Sequence, residues 1–597
     1  MSSYSSYSGY SGYSGYSGYS GYDTPMVLEA LAPLFAPGRI GPATIKNRIV
    51  MPPMTTRLAD RDGFASEDSI AYYSARARGG VGLVTVEMAS PERAGRHRFN
   101  ELGIYDDRFL PGLTRIAAAI HAEGAQASIQ LGHAGGHTRR DICGETPVAP
   151  SAIPHPVFEL TFETVVPEAL SEARIESIVA AYAAAARRAR AAGFDCVEIH
   201  AAHGYLISQF HTPYENRRSD RYGGSLENRA RFGLEILRAV KAAVPELGVS
   251  YRLSVDDFFP EGMPYVEGRQ IALWAAEAGA DALHIAAGHY RSLPSAARQI
   301  PPMALPEATF LEYAADIKRE VAVAVIAVGR LGDPAVAAAA LASGKADFIA
   351  LGRSLIADPQ WVEKTARGEP RRACLACNSC INEMRGGARV GCVVNAVAGN
   401  ERRYATPARV QGEAIAVIGA GPAGLTYALL AAPQNRVTVF ERDARAGGAL
   451  RLAGRAPLYQ EVEAVPAALD GYIDALVAAA ERAGVVLRYG VDVAADPAVL
   501  EGHERIIIAT GAAYRYGLGA IVPRLLRSRL VRAPLVRQLL VSARLRDWFY
   551  HRARRPTGAQ LRERIGTFPH VEVIGDAAVA GKTKAAVASA FEAAHFS

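Results

Sequence analysis

Cysteine is scarce in this chain of 597 residues: there are six, and four of them, Cys374, Cys377, Cys380 and Cys392, stand in one short stretch. Only Cys143 and Cys196 are left over, which argues against a secreted disulfide framework and makes a reducing cytoplasm the expected setting. No apolar run is long enough to span a bilayer, and no charged region precedes an apolar core at the N-terminus, so neither a membrane span nor a secretory leader is expected. A broad basic surface is missing too. The formal net charge is +6, yet residues 516–555 hold ten arginines (524, 527, 529, 532, 537, 544, 546, 552, 554 and 555) against one acid, Asp547, leaving the rest slightly negative. Such local basicity argues against a general nucleic-acid partner.

What is present is a globular composition, 50% apolar and 21% charged, with length enough for two or three domains. Residues 1–24 stand apart as a tail of Tyr, Ser and Gly, with tyrosine at every third position from Tyr4 to Tyr22. Such a segment cannot bury a core and reads as disordered: a flexible appendage, or a fused peptide whose tyrosines the enzyme itself modifies. From about residue 30 short apolar strands alternate with helical stretches. The strands are expected at 48–51, 82–87, 126–131, 196–200, 249–254, 282–286, 323–328 and 347–351, with helices such as 171–192 and 334–342. Eight units predict a (β/α)8 barrel with its chemistry at the C-terminal strand ends. Gln130, His133, His200, His203, Arg252, Arg330 and Arg353 fall there.

Two Gly-Arg pairs, Gly329-Arg330 and Gly352-Arg353, close the last two units, where barrels commonly hold a phosphate through backbone N–H groups and arginine. The cysteines follow as C-x2-C-x2-C-x11-C. Three thiolates one turn apart with a remote fourth can wrap a 4Fe–4S cubane; zinc is the alternative, though it usually takes two separated C-x2-C pairs. Next, Gly419-Ala-Gly421-Pro-Ala-Gly424 follows an apolar strand and opens a helix, a dinucleotide-binding turn, and Glu441 ends the following strand where it can bond a ribose hydroxyl.

Taken together, Pro52-Pro53-Met54-Thr55, Gln130-Leu-Gly-His133, Glu198-Ile-His200-Ala-Ala-His203-Gly-Tyr205-Leu and Asn216-Arg-Arg-Ser-Asp220-Arg-Tyr-Gly-Gly-Ser225-Leu-Glu-Asn-Arg229 resemble the old yellow enzyme family. The cysteines and the Rossmann turn narrow the resemblance to its large iron–sulfur branch, that of 2,4-dienoyl-CoA reductase and trimethylamine dehydrogenase. It implies FMN at the barrel mouth. Pro53, Met54 and Thr55 would border the isoalloxazine, Gln130 its pyrimidine edge, and Arg252 would offset charge near N1–C2. Gly329, Arg330, Gly352 and Arg353 would hold the phosphate. His200 and His203 would bind an activating carbonyl, and Tyr205 would protonate the alkene carbon opposite the one receiving hydride; His289 is a weaker candidate for a further donor. The resemblance also implies a 4Fe–4S cluster on Cys374, Cys377, Cys380 and Cys392. It implies FAD, or ADP in its place, on Gly419, Gly421, Gly424, Glu441, Gly511 and Asp576. Histidine at position 200, where the amine dehydrogenases have tyrosine, points to carbonyl-activated substrates; the cysteine spacing looks more like the amine branch.

One departure stands out. The resembling enzymes insert a complete nicotinamide-binding domain after Ala509-Thr510-Gly511, but only about 60 residues separate Gly511 from Gly575 here, with no second glycine-rich turn. The expected organisation is α/β: an N-terminal (β/α)8 TIM barrel (25–370), a 4Fe–4S segment (371–410) and a shortened Rossmann-like FAD domain (411–515 and 565–597). An Arg-rich insert (516–564) replaces the NAD(P) domain. The expected reaction is reduction of a C=C bond conjugated to a carbonyl, with electrons relayed among FAD, 4Fe–4S and FMN. The alternatives are an amine or saturated-carbonyl dehydrogenase passing electrons to a protein acceptor, or a non-catalytic redox sensor. The insert is expected to be a solvated cap, a dock for an acidic electron-transfer protein, or a peripheral membrane contact through Trp548, Phe549 and Tyr550. Oligomerisation is left open.

Overall fold

The computed structural model describes residues 29–159, 161–514, 518–542, 544–545, 548 and 553–597; the Tyr/Ser/Gly repeat lies outside these. Eight parallel strands close a barrel: β1 (Ile49–Met51), β2 (Leu83–Ala89), β3 (Gln126–Leu131), β4 (Cys196–Ala201), β5 (Gly248–Ser254), β6 (Ala282–Ala286), β7 (Ala324–Ala327) and β8 (Phe348–Ala350). β8 pairs back onto β1. Each strand is an apolar run because helices cover its outer face and side chains fill the barrel within; all residues of β2 and β4 are buried.

The covering helices start where their caps dictate. Ser171 accepts the Arg174 N–H at the head of α1 (Glu172–Ala191), and Ser225 accepts the Asn228 N–H at the head of α2 (Leu226–Ala243). Asp333 accepts two backbone N–H groups at α3 (Pro334–Ala342), whose proline occupies the first turn, where no N–H is needed. Strand limits differ from the sequence-based ones by a residue or two. The clearest case is β2, which runs past Glu87 because a bulge between Val86 and Met88 absorbs the register shift against β3. The bulge aims the Glu87 carboxylate at the loop after β1, where it accepts the Thr56 N–H (2.7 Å) and hydroxyl (2.9 Å).

The second unit is a parallel sheet of β9 (Ala414–Ile418), β10 (Arg436–Glu441), β11 (Val486–Tyr489), β12 (Arg505–Ile508) and β13 (His570–Val573), in the order β11-β10-β9-β12-β13. The order reverses beside β9, which opens a crevice at the strand ends. Between the two units runs the cysteine segment with α4 (Ser379–Arg385). Cys380 belongs to the barrel core and Cys377 to the second core, which the barrel residue Met303 also joins. After β12 the chain forms a two-stranded ribbon, Ala512–Tyr514 with Arg554–Pro556, and the insert between them contains α6 (Leu518–Arg527) and α7 (Pro534–Val541) beyond α5 (Pro422–Ala431) of the sheet domain. Pro534 begins α7, whereas Pro523 lies inside α6, which ends at Arg527. Among the described residues no helix is long and apolar enough to cross a membrane.

Candidate active site and cofactor sites

Strand register assembles a polar layer across the barrel mouth. Glu198 on β4 lies opposite Gln130 on β3 and Ser250 on β5, and Arg252 lies opposite both His200 and His284. Glu198 is the hub. It accepts from Gln130 Nε2 (2.8 Å) and Ser250 Oγ (3.3 Å), pairs with His284 Nδ1 at 2.8 Å, and stands 4.0 Å from Arg252 Nη1. Burial alone would raise its carboxyl, but His284 and Arg252 hold it below the ordinary carboxylate range. The carboxylate therefore orients the amide of Gln130 while Arg252 keeps its charge. Arg252 Nε is buried with no hydrogen-bond partner, an orphan donor that fits a ligand acceptor at this edge.

His200, His203 and Tyr205 follow at the end of β4, all buried. Burial, then the Arg252 guanidinium, keeps both imidazoles well below the ordinary histidine value, hence neutral. The Ala202 N–H donates to His200 Nδ1 (3.4 Å), which leaves the proton on Nε2 as a donor. His203 has a left-handed backbone (φ 67°), rare outside glycine. Its N–H donates to Ser254 Oγ (3.0 Å), and its carbonyl accepts the Tyr290 N–H (3.1 Å) in a bridge to the His289 segment, so the turn is held from two sides. Burial, then Tyr290, pushes the Tyr205 phenol well above its ordinary value. Its hydroxyl lies 2.9 Å from His97 Nδ1, which also accepts from Arg98 Nε at 3.1 Å. Arg98 has only donors, so Nδ1 is the unprotonated nitrogen and Tyr205 donates to it. Sequence reasoning missed His97, which lies 108 positions from Tyr205 with no motif joining them. His289 is no free donor: Nε2 pairs with buried Glu215 (3.2 Å) and Nδ1 accepts the Arg291 N–H (3.0 Å). His133 is likewise engaged by Glu92 and the Gly135 N–H.

At the other side of the mouth, Gly329 has φ 111° and Arg330 φ 56°, a pair of left-handed residues that turns the loop after β7. A Cβ on Gly352 would stand 3.0 Å from the Met54 sulfur, so glycine lets the loop after β8 meet the Pro53-Met54-Thr55 loop after β1. The Arg330 guanidinium donates to the Met303 carbonyl (2.9 Å), and Arg353 donates to the Pro301 carbonyl (2.7 Å) and to Asn378 Oδ1. These contacts place two arginines and two glycines at the ends of β7 and β8, the donor set a phosphate requires.

The four cysteines are near enough to feel one another's charge: burial raises the Cys380 thiol, and Cys374, Cys392 and Cys377 raise it further. The Ala376 N–H donates to Cys374 Sγ (3.4 Å). Among the described residues no group of three or more His, Cys, Asp or Glu side chains is placed to hold a metal ion. Four cysteine thiols gathered in one segment are the donor chemistry that an iron–sulfur cluster takes.

In the second unit, Gly419, Gly421, Glu441, Gly511 and Asp576 line one cavity of about 1130 Å³. Each turn glycine has its own reason. Gly419 has φ 108° and a Cβ there would meet the Ala509 carbonyl at 2.5 Å; Gly421 faces open space; a Cβ on Gly424 would strike the Gly419 carbonyl. Glu441 accepts the Ala420 N–H (2.8 Å) and the Asp443 N–H (2.9 Å). Arg554, from the ribbon that closes the insert, donates to Asp576 Oδ2 (2.8 Å) and the Gly581 carbonyl (2.6 Å). Arg527 of α6 also lines the cavity, so the insert walls the space beside the dinucleotide turn.

Residues 33–372 match the NADH:flavin oxidoreductase / NADH oxidase family, and residues 417–457 match an NAD(P)-binding Rossmann-like domain. The chain is 40% identical over 491 residues to an NADH oxidase of Thermoanaerobacter brockii, covering 80% of this chain and 73% of the relative. It is 32% identical over 508 residues to a cinnamate reductase of Clostridium sporogenes, covering 81% and 74%. Its fold superposes on a 2-naphthoyl-CoA reductase complex with a TM-score of 0.85, covering 95% of this chain and 100% of that one at 24% identity. With a closed FMN-type barrel, a Rossmann-like domain and these relatives, the chain belongs to the NADH:flavin oxidoreductase / NADH oxidase family and is an FMN-dependent oxidoreductase of the old yellow enzyme type.

Proposed function

We propose that this enzyme reduces a C=C bond conjugated to a carbonyl, with FMN at the barrel mouth, a 4Fe–4S centre on Cys374, Cys377, Cys380 and Cys392, and FAD, or ADP in its place, in the second unit. The observation that carries this reading is the neutral His200–His203 pair beside a protonated Tyr205 at the end of one strand. Bound FMN supplies the hydride equivalent. His200 Nε2–H and a ring N–H of His203 hold the carbonyl oxygen and offset the charge that develops on it. Tyr205 Oη carries the proton to the other alkene carbon, and His97 Nδ1 keeps that oxygen in place before transfer. Gln130 and Arg252, held by Glu198, orient the ligand's polar edge.

Electrons would reach the cluster from an acidic electron-transfer protein. Exposed Arg524, Arg527 and Arg537 on α6 and α7, beside exposed Ile521, Leu535 and Leu539, support docking there. The test is an anaerobic one. The holoenzyme reduced with NADH, NADPH or a small ferredoxin is mixed with enones, and in parallel the oxidised holoenzyme is mixed with amines. Reoxidation by an enone is the expected result. Bleaching by an amine, with no enone turnover, overturns the reading.

A further inference from the structure

Beyond Tyr205 the buried surroundings become cationic. Tyr290 lies edge-on to Tyr205 with centroids 5.7 Å apart, and Arg385, the last residue of α4, sets its guanidinium carbon 5.2 Å from the Tyr290 ring centroid. Two tyrosine rings therefore separate this guanidinium from His200, whose ring is 4.7 Å from that of Tyr205. Arg385 is held from behind. Arg57 Nε donates to the Met384 carbonyl (2.7 Å), and Arg98 Nη1 lies 3.0 Å from the Met384 sulfur.

The Nε and Nη2 atoms of Arg385 are buried and have no hydrogen-bond acceptor. Those two N–H groups form one edge of the guanidinium, the edge whose parallel bonds match a planar carboxylate. Unmatched, they cost the desolvation of a charged donor. The neighbouring acids do little to neutralise the region, since burial raises Glu87 to about 7 and Glu101 to about 8. Buried groups report the same field. Burial would raise the Tyr290 phenol, yet Arg385 and Arg98 bring it below its ordinary value, and burial together with Arg98 keeps His97 well below its own.

We propose that the Nε/Nη2 edge of Arg385 binds a carboxylate on the substrate, at the end remote from the carbonyl held by His200 and His203. This rests on the alkene-reduction reading of the site. It makes the substrate an unsaturated carbonyl compound bearing a distant acid, and it disfavours a cationic amine by direct repulsion.

The probes are 4-phenylbut-3-en-2-one, its 4-carboxyphenyl counterpart, and the saturated form of that acid as a ligand that cannot turn over. In the holoenzyme the acid should exceed the neutral enone in kcat/KM by about tenfold or more. That preference should collapse in Arg385→Gln and partly survive in Arg385→Lys. Calorimetry should show binding of the saturated acid weakened about tenfold or more in Arg385→Gln. Absence of the preference in the wild type, or an unchanged preference in Arg385→Gln, overturns the proposal. If the saturated acid binds through Arg385 but neither enone is reduced, the carboxylate site stands and the alkene-reduction reading falls.

Discussion

Tyr205 donates a hydrogen bond to His97 at rest, so the phenol must turn away from Nδ1 to serve a substrate. Replacing Tyr205 by Phe removes the proton source and should lower enone turnover by roughly 10²–10⁴-fold while leaving reduction of the flavin by its donor intact, as stopped-flow absorbance would show. His97 acts through Tyr205 and is a positioning residue. His97→Ala should lower kcat by about tenfold with little change in KM, and His97→Asn, whose side-chain oxygen can accept near the Nδ1 position, should recover part of it. The pH profile separates this from a structural effect, because a freed phenol titrates differently from a held one. At this scale the sequence disclosed the groups that share a local motif: His200, His203 and Tyr205 sit within six residues of one strand end. Partners reached only through the closed barrel were illegible, namely His97 and, through α4, Arg385. Glu198 was visible as a strand residue, but its role as hub depends on register between four strands.

Strands and helices were the most legible features, since buried parallel strands are written as apolar runs bounded by turns. β3 and β6 match their expected limits residue for residue. The bulge at Glu87 was not legible, because nothing in the residues of β2 announces a register shift that depends on β3. The ribbon that pairs Ala512–Tyr514 with Arg554–Pro556 was also hidden, as it closes a long insert beside a partly buried ion pair. Arg554→Met leaves Asp576 with only the Gly581 N–H and should cost about 2 kcal/mol of stability. It should also release the nucleotide of the second unit on gel filtration. On α6 and α7, Arg524→Glu and Arg537→Glu together should slow reduction by a protein donor and flatten its dependence on salt. Turnover with a small artificial reductant should be unaffected.

Across the whole molecule, burial of histidine sets the response to acid. His97, His137, His200, His203, His211 and His284 all lie below the ordinary imidazole value, with burial as the largest cause. The unfolded chain takes up those protons below about pH 6.5 and the folded one does not, so each contributes stability that is present above that pH and lost as pH falls. His289 runs the other way, because Glu215 and Asp257 overcome burial and raise it, and its share is lost as pH rises. Glu87 and Glu101 also favour the acid side, giving up their contribution as pH rises through about 7 and about 8. The free energy of unfolding should therefore peak near pH 7 and fall more steeply towards acid, by about 1.4 kcal/mol per pH unit for each net proton, as calorimetry across pH 4–9 would measure.

The cysteine segment, with Cys380 in one core and Cys377 in the other, also bears on maturation. Were the four thiols to take up iron and sulfide as proposed, delivery to the two buried ones would be easiest before the two cores close around them. Chain made under iron starvation should then be nicked by protease within 371–410, while chain made in iron-replete cells should resist.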